Sequence, residues 1–279
     1  MMMRRTSPRL TVGLIILAAF IILGGVLPFF SPEDPRSWIK HPRNLPPSAE
    51  HLLGTTNLGQ DTFWLLSYAT QNSLFIGLIV AFFATLIGVF AGLASGFLGG
   101  VPDRVITLLA DVFIVVPSLP ILILMSSLLQ GRASLLLISI ILILFNWPWP
   151  ARQMRSIALS MRERQFVNTA RFSGSSTLQI LAEEIVPHIF SWSMANFVNT
   201  VLVAIATESG LAVIGLSSLE EATLGTTIYW ALQHQALLGR RWWWIGSPVV
   251  AIILLFIALF LISTGISSLS AERRGHGDA

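Results

Sequence analysis

Leu10–Phe30 runs for 21 residues without a charge, and similar apolar runs recur to the end of the chain. A helix rises 1.5 Å per residue, so about 20 such residues cross the ~30 Å hydrocarbon layer of a membrane. In that layer every backbone polar group must find its partner inside the protein, which leaves helices and closed barrels as the spanning solutions. Uninterrupted runs of this length, rather than alternating ones, select helices. The balance of the chain agrees: of 279 residues 54% are hydrophobic and 11% charged, against about 25% charged in soluble domains. The expected fold class is an all-α polytopic membrane protein.

Six transmembrane helices are expected, at 10–30, 73–98, 105–129, 133–151, 189–217 and 247–269. Only Gln130-Gly131-Arg132 separates the third from the fourth. A cleaved signal peptide is the rival reading of the first run. Such a peptide has an apolar region of about 7–15 residues ending in small residues, whereas this run is longer and ends Leu-Pro-Phe-Phe. An uncleaved first span is expected.

Arginine sets the sidedness. With the N-terminus inside, Arg4, Arg5, Arg9, Arg104, Arg152, Arg155, Arg162, Arg164, Arg171, Arg273 and Arg274 fall on the inner side. Arg36, Lys40, Arg43, Arg132, Arg240 and Arg241 fall on the outer side. Inner segments carry the basic excess in membrane proteins, so both termini are expected in the cytoplasm. This divides the chain into a cytoplasmic N-terminus with the first span (1–30), an extracytoplasmic segment (31–72), a core of five spans (73–270) and a cytoplasmic tail (271–279). Within the core lie a cytoplasmic loop (152–188) and an outer loop (218–246). The net charge of +3 is then a sidedness signal and not a nucleic-acid footprint. Membrane lipid is the expected surrounding.

Self-contained chemistry is missing from the sequence. There is no G-x-x-x-x-G-K-[ST] phosphate cradle, no H-E-x-x-H zinc motif and no G-x-S-x-G elbow. The chain holds no cysteine, and His41, His51, His188, His234 and His276 lack metal-ligand spacing. No metal, no bound cofactor and no catalytic residue are expected. Two acids fall inside spans, Asp111 and Glu208. Charge at that depth costs at least about 2.5 kcal/mol and marks a pathway or a structural hydrogen bond. No basic partner stands at comparable depth in the sequence, so structure or pathway lining is expected rather than proton coupling. On the outer side Trp230, Trp242, Trp243 and Trp244 read either as interfacial anchors or as contacts for an external partner or substrate.

One polar stretch interrupts the second half, RQFVNTARFSGSSTLQILAEEIVPH at 164–188. Arg162–Phe172 fits a helix with Phe166 and Ala170 on one face. Ser173-Gly174 ends it, Ser176 to Gln179 fits a capping box, and Leu178, Ile180, Leu181 and Ile185 continue until Pro187. Two short helices around a glycine elbow suit either a knob for a cleft in another protein or a pair lying on the lipid surface.

This stretch resembles the signature loop of ATP-binding-cassette importer permeases, whose pattern is E-A-A, then glycine, then Ile and Leu-Pro. Here it reads Asn168-Thr169-Ala170, Gly174, Ile180 and Val186-Pro187. HLLGTTNLGQD at 51–61 is similar to the H-P-L-G-T-D-x-x-G-R-D run of the dipeptide/oligopeptide/nickel permeases of second-subunit type. Gly54, Thr55, Gly59 and Asp61 match, while Thr56 and Gln60 depart. GFLGGVPDRVITLLADVFIVVPSLP (96–120) and NWPWPARQMRSIALSMRERQFVNTARFSG (146–174) also resemble this group. The resemblance covers about residues 10–270.

The resemblance implies a type I importer permease fold with cytoplasmic coupling helices. It implies contact with an ATPase through Phe166, Asn168, Thr169, Ala170, Arg171, Gly174, Ser175, Ile180 and Pro187. It further implies a heterodimer with a homologous permease, two ATPase subunits that bind ATP and Mg, and an extracytoplasmic solute-binding protein. Peptides are the expected cargo and oligosaccharides the alternative, with Asp61 and the four tryptophans as outer-face candidates. An ion-coupled secondary transporter would instead show an internal repeat and coupling-ion residues, and no repeat relates the halves. A membrane-anchored scaffold would need no coupling knob.

Overall fold

The computed structural model describes residues 8–129 and 134–275. The Gln130-Gly131-Arg132 separator, Arg4, Arg5 and residues 276–279 lie outside the described residues, as do the side chains of Arg273 and Arg274. Helix α1 (Pro8–Ile21) continues through a π turn (Ile22–Val26) and a 3-10 turn (Leu27–Phe30). Then follow α2 (Thr62–Leu98), α3 (Gly100–Val115), α4 (Ser118–Leu129), α5 (Leu135–Asn146), α6 (Pro148–Arg162), α7 (Gln165–Phe172) and the short α8 (Thr177–Gln179). A π turn (Ile180–Ile185) leads into α9 (Val186–Val213), followed by α10 (Leu224–Gln233) and α11 (Trp242–Gly275). Among the described residues the β structure is one isolated bridge, Thr55 to Asp61.

Five helical stretches are long and apolar enough to cross a membrane: 8–30, 62–98, 135–162, 177–213 and 242–268. A sixth crossing requires α3 and the first part of α4 together, and these are bent by 74°. The third expected span is therefore broken. Val116 adopts an extended backbone (φ −71°, ψ 119°), the conformation that the ring of the following Pro117 imposes. The other spans are longer than expected. Helix α2 starts at Thr62 because Asp61 caps it, its carboxylate accepting from the amides of Phe63 and Trp64. Much of the expected cytoplasmic loop is helix as well, since α6 runs to Arg162.

The bundle is organised around α2, which packs on α5, α6 and α9 and touches α3, α10 and α11. Gly88, Gly92 and Gly96 form a stripe along α2 that lets α6 lie against its backbone. A Cβ at Gly92 would sit 2.5 Å from the Ala151 carbonyl, and one at Gly96 2.6 Å from that of Arg155. Small residues at such spacing replace the hydrophobic drive that lipid cannot supply between helices. Large apolar side chains remain exposed around the rest of the bundle, among them Phe82, Phe90, Leu108, Ile253 and Phe260, as expected where lipid or another apolar subunit is the solvent.

The ends of the bundle differ. At one end the start of α1 lies on the last turns of α11, Gly265 meeting Leu10, and Ser263 of α11 donates to the Ala195 carbonyl in the first half of α9. This termini end also carries α7 and α8. The opposite, cap end is made of residues 31–61, the 214–223 loop, α10 and the start of α11. Trp243 donates from Nε1 to the Thr55 carbonyl at 3.1 Å and so fastens the 31–61 segment to α11.

Candidate functional site

Helix α7 has eight residues, too short to be stable alone. It persists because Val167 is wholly buried against Leu93, Phe97, Met154 and Ala158 of α2 and α6 and Ile180, Ile185 and Ile189 beyond the elbow, with Phe166 and Ala170 packed at the margin. Burial of each such aliphatic side chain contributes about 2 kcal/mol. Phe166 also stacks on His188, ring centroids 5.1 Å apart, and the Arg171 guanidinium lies over the Phe97 ring at 5.4 Å.

The helix ends in a Schellman motif. The amide of Gly174 donates to the Arg171 carbonyl and that of Ser175 to the Ala170 carbonyl, with Gly174 at φ +85°. Space does not demand glycine here, since a Cβ would meet nothing within 4 Å. The left-handed backbone does. Two residues later Ser176 and Gln179 close the expected capping box, the Gln179 side chain accepting from the Ser176 amide at 2.8 Å.

Two expectations for this stretch need correction. Pro187 does not reset the chain: residues 177–213 form one continuous span, and Pro187 sits at its tolerated position in the first turn of α9. The preceding π turn (Ile180–Ile185) widens the backbone just ahead of the missing amide. The elbow thus joins α7 directly to the lever of α9. Leu178 also leaves the apolar face shared by Ile180 and Ile185, standing 78% exposed, and Phe172 is 92% exposed. Between these two side chains lie Ser173, Gly174 and Ser176, all exposed and polar or small, while Asn168, Thr169 and Arg171 are exposed on α7. The elbow is a rigid polar tip carrying two unburied apolar residues.

Beside it α3 and α6 are joined by ion pairs. Arg155 donates from Nε and Nη2 to the two Asp103 oxygens at 2.6 and 2.8 Å, and Ser95 of α2 and Thr107 also donate to Asp103. Two turns further, Arg152 Nη2 lies 3.1 Å from Asp111 Oδ1. Asp111 therefore does have a basic partner, contrary to expectation. The signal was present in the spacing: Asp103, Thr107 and Asp111 recur every fourth residue and Arg152 and Arg155 are three apart, so each set shares a helix face.

Glu208 is 1% exposed near the cap-end terminus of α9. Its Oε1 accepts from Ser217 at 3.0 Å and Thr223 at 2.9 Å. Thr223 is in turn the N-cap of α10, and Leu224 donates its amide to Ser73 of α2. The carboxyl thus ties the 214–223 loop to the bundle, a structural role in this conformation.

At the cap end, Asp61 is buried as a helix cap, its Oδ2 lying 2.7 Å from His51 Nδ1. It is a building residue of the cap and not a surface contact. Trp243 and Trp244 are buried at 8% and 0% exposure, so neither presents an outer stacking face. Trp242 is exposed, and Trp230 lines a cavity with Trp38, whose ring it meets edge-on at 6.0 Å. His234 is stacked between Trp230 and Trp244, with Asn57 Nδ2 3.2 Å from its Nδ1. Burial first, and the Arg241 charge second, push the His234 pKa below its ordinary value. The unfolded chain then takes up a proton near pH 6.5 that the folded cap refuses, so this contribution is full above pH 6.5 and fades as pH falls below it. Amide hydrogen-exchange protection across residues 224–244, taken relative to the intrinsic exchange rate at each pH, is expected to fall from pH 7.5 to 5.5. His234→Gln should flatten that dependence, and equal profiles for the two proteins would rule the effect out.

With this geometry in view, comparison with known proteins defines the class. The family model described as "Binding-protein-dependent transport system inner membrane component" matches residues 84–275. The fold also matches a chain of the MetNI methionine ABC transporter in an inward-facing conformation, with TM-score 0.58, 16% identity, and coverage of 75% of this chain and 96% of that one.

The chain belongs to the binding-protein-dependent transport system inner membrane component family, and is a multi-pass protein of the inner membrane. Among its relatives is the oligopeptide transport system permease protein OppC of Bacillus subtilis, 34% identical over 216 residues, 77% of this chain and 70% of that protein. The dipeptide transport system permease protein DppC of the same organism is 29% identical over 255 residues, 91% of this chain and 78% of that protein. OppC of Mycobacterium tuberculosis is 33% identical over 184 residues, and that match spans 66% of this chain and 63% of the relative's length.

Proposed function

We propose that this chain is one of two homologous permease subunits of an ATP-driven importer of di- and oligopeptides, with its termini and the α7 elbow in the cytoplasm and the cap outside. A pair of ATPase subunits supplies the nucleotide and magnesium chemistry, and a solute-binding protein delivers cargo to the cap. The chain itself holds no catalytic group in this reading. The observation that carries it is the elbow: a tip with Phe172 and Leu178 bared, held by a Schellman motif and a capping box on a packed apolar base. A lipid-lying pair of helices would present one continuous apolar face to the membrane. Here that face is turned inward to α2 and α6.

The mechanism follows from how the elbow is joined. Closure of the ATPases pushes a tip that continues without a break into the span 177–213, and the α3–α6 ion pairs keep the neighbouring helices moving with it. A ligand shifts such an equilibrium only by its differential affinity for the two states. ATP therefore acts here through ATPase surfaces that fit the elbow in one state better than in the other. Peptide cargo is supported by the relatives' names, whereas an oligosaccharide site loses two of its four candidate stacking faces with Trp243 and Trp244 buried. Gly174→Trp tests the coupling: the left-handed turn resists a side chain, and the bulk stands on the docking face. ATP hydrolysis is expected to continue in the reconstituted transporter while peptide uptake falls at least tenfold. Normal uptake at normal expression would count against the elbow as the coupling element.

A further inference from the structure

The cap holds a cavity of about 310 Å³ that the coupling scheme does not use. It lies between the 31–61 segment, the end of the 214–223 loop and α10. Its walls are apolar and aromatic, with Trp38, Trp230, Leu58 and Leu219 among them, and Glu220 and Glu221 stand in its lining. The size is at the small end of ligand sites, about 300–1,000 Å³, enough for one residue and its flanking peptide group.

Two independent features say what it wants. The first is charge. Arg36, the one basic residue in the lining, is engaged by Asp34, Nε to Oδ1 at 3.1 Å and Nη2 to Oδ2 at 3.2 Å. That pairing holds the Asp34 carboxyl below its usual range and raises Arg36. Glu221 is left with a long 3.6 Å approach to Arg36 Nη1, and among the described residues Glu220 has no ion pair. Carboxylates beside tryptophan faces attract a cation on an apolar body. The second feature is an orphan donor. Trp244 lines the same cavity and is fully buried, yet among the described residues its Nε1–H has no acceptor. Buried donors are nearly always paired, and an exception points to a group not present. A cation at the rim and a hydrogen-bond acceptor deeper in, joined by an apolar side chain, are the parts of a peptide's first residue.

We propose that this cavity recognises the free amino-terminal residue of a peptide, its ammonium against Glu220 and Glu221, its side chain between Trp38 and Trp230, and its carbonyl on Trp244 Nε1–H. The inference rests on the peptide reading above and adds where this subunit meets the cargo. It is tested with the complete transporter in nanodiscs, without binding protein. Equilibrium dialysis against a mixed tripeptide pool and its N-acetylated counterpart is read by mass spectrometry. Free tripeptides are expected to be retained at least tenfold better than acetylated ones. Glu220→Gln with Glu221→Gln, the first exposed and the second half-buried, should abolish that preference, and Trp244→Phe should weaken both pools severalfold. Equal retention of the two pools, or a preference that survives the double variant, overturns the proposal. Uptake into proteoliposomes with the binding protein added is the separate measure. Uptake without amino-terminal preference at the cavity leaves the peptide reading standing and removes this inference, while no uptake of any tripeptide removes both.

Discussion

Phe172→Asp combined with Leu178→Asp is expected to reduce ATP-driven uptake at least tenfold while leaving the protein folded. Both side chains are exposed, 92% and 78%, and contribute little to the subunit's own core. Exposed substitutions usually change stability by no more than about 0.5 kcal/mol. At an interface the same residues would be buried anchors, where truncation costs about 2 kcal/mol or more, and each ~1.4 kcal/mol is tenfold in affinity. Placing two carboxylates in such a contact adds a desolvation cost. The variant should therefore run normally in size-exclusion chromatography by itself but co-purify poorly with the ATPases. Phe172→Leu, which keeps an apolar tip, should retain most of the activity. A double aspartate variant that copurifies and transports like the parent would remove the elbow from the ATPase contact.

The largest effect on the fold is expected from Gly92→Val. The new Cβ would lie 2.5 Å from the Ala151 carbonyl and 2.6 Å from Met154 Cβ. Backbone on α6 cannot move aside as a flexible side chain can, so the two helices must separate along the whole stripe that includes Gly88 and Gly96. Overpacking typically costs about 1–3 kcal/mol, and a backbone clash lies at or beyond the upper end. Loss of most membrane-inserted, detergent-stable protein is expected in a thermal-shift or fluorescence size-exclusion assay. Gly210→Val is the matched control: also in a helix, with nothing within 4 Å of its would-be Cβ, it should leave the melting temperature nearly unchanged. If both variants behave alike, the close approach of α2 and α6 is not what holds the bundle.

Several parts of the structure were legible in the residues because they are local. The capping box at Ser176 and Gln179 and the break at Gly174 follow from side chains reaching backbone groups a few residues away. The α3–α6 pairing was legible in principle, since acids and arginines at helical spacing mark two faces. It was missed because Asp103 and Arg155 stand 52 residues apart and sequence distance hides which faces meet. The continuity of the span through Pro187 was not legible, because proline in an amphipathic stretch ordinarily signals a boundary and a π turn has no composition of its own. Likewise four tryptophans near one another in sequence gave no hint that Trp243 and Trp244 would be buried and Trp242 exposed.

By itself the sequence determined the solvent. Long uncharged runs admit helices in lipid and little else, and that constraint acts on each segment separately, so it needs no knowledge of neighbours. Only the tertiary structure decided which polar groups are available for work. Asp61, Glu208 and Trp243 are spent on caps, loops and fastening, whereas Phe172, Leu178 and Glu220 remain open. The reason is that satisfaction of a polar or apolar group depends on what packs against it, and those partners come from helices far away in the chain.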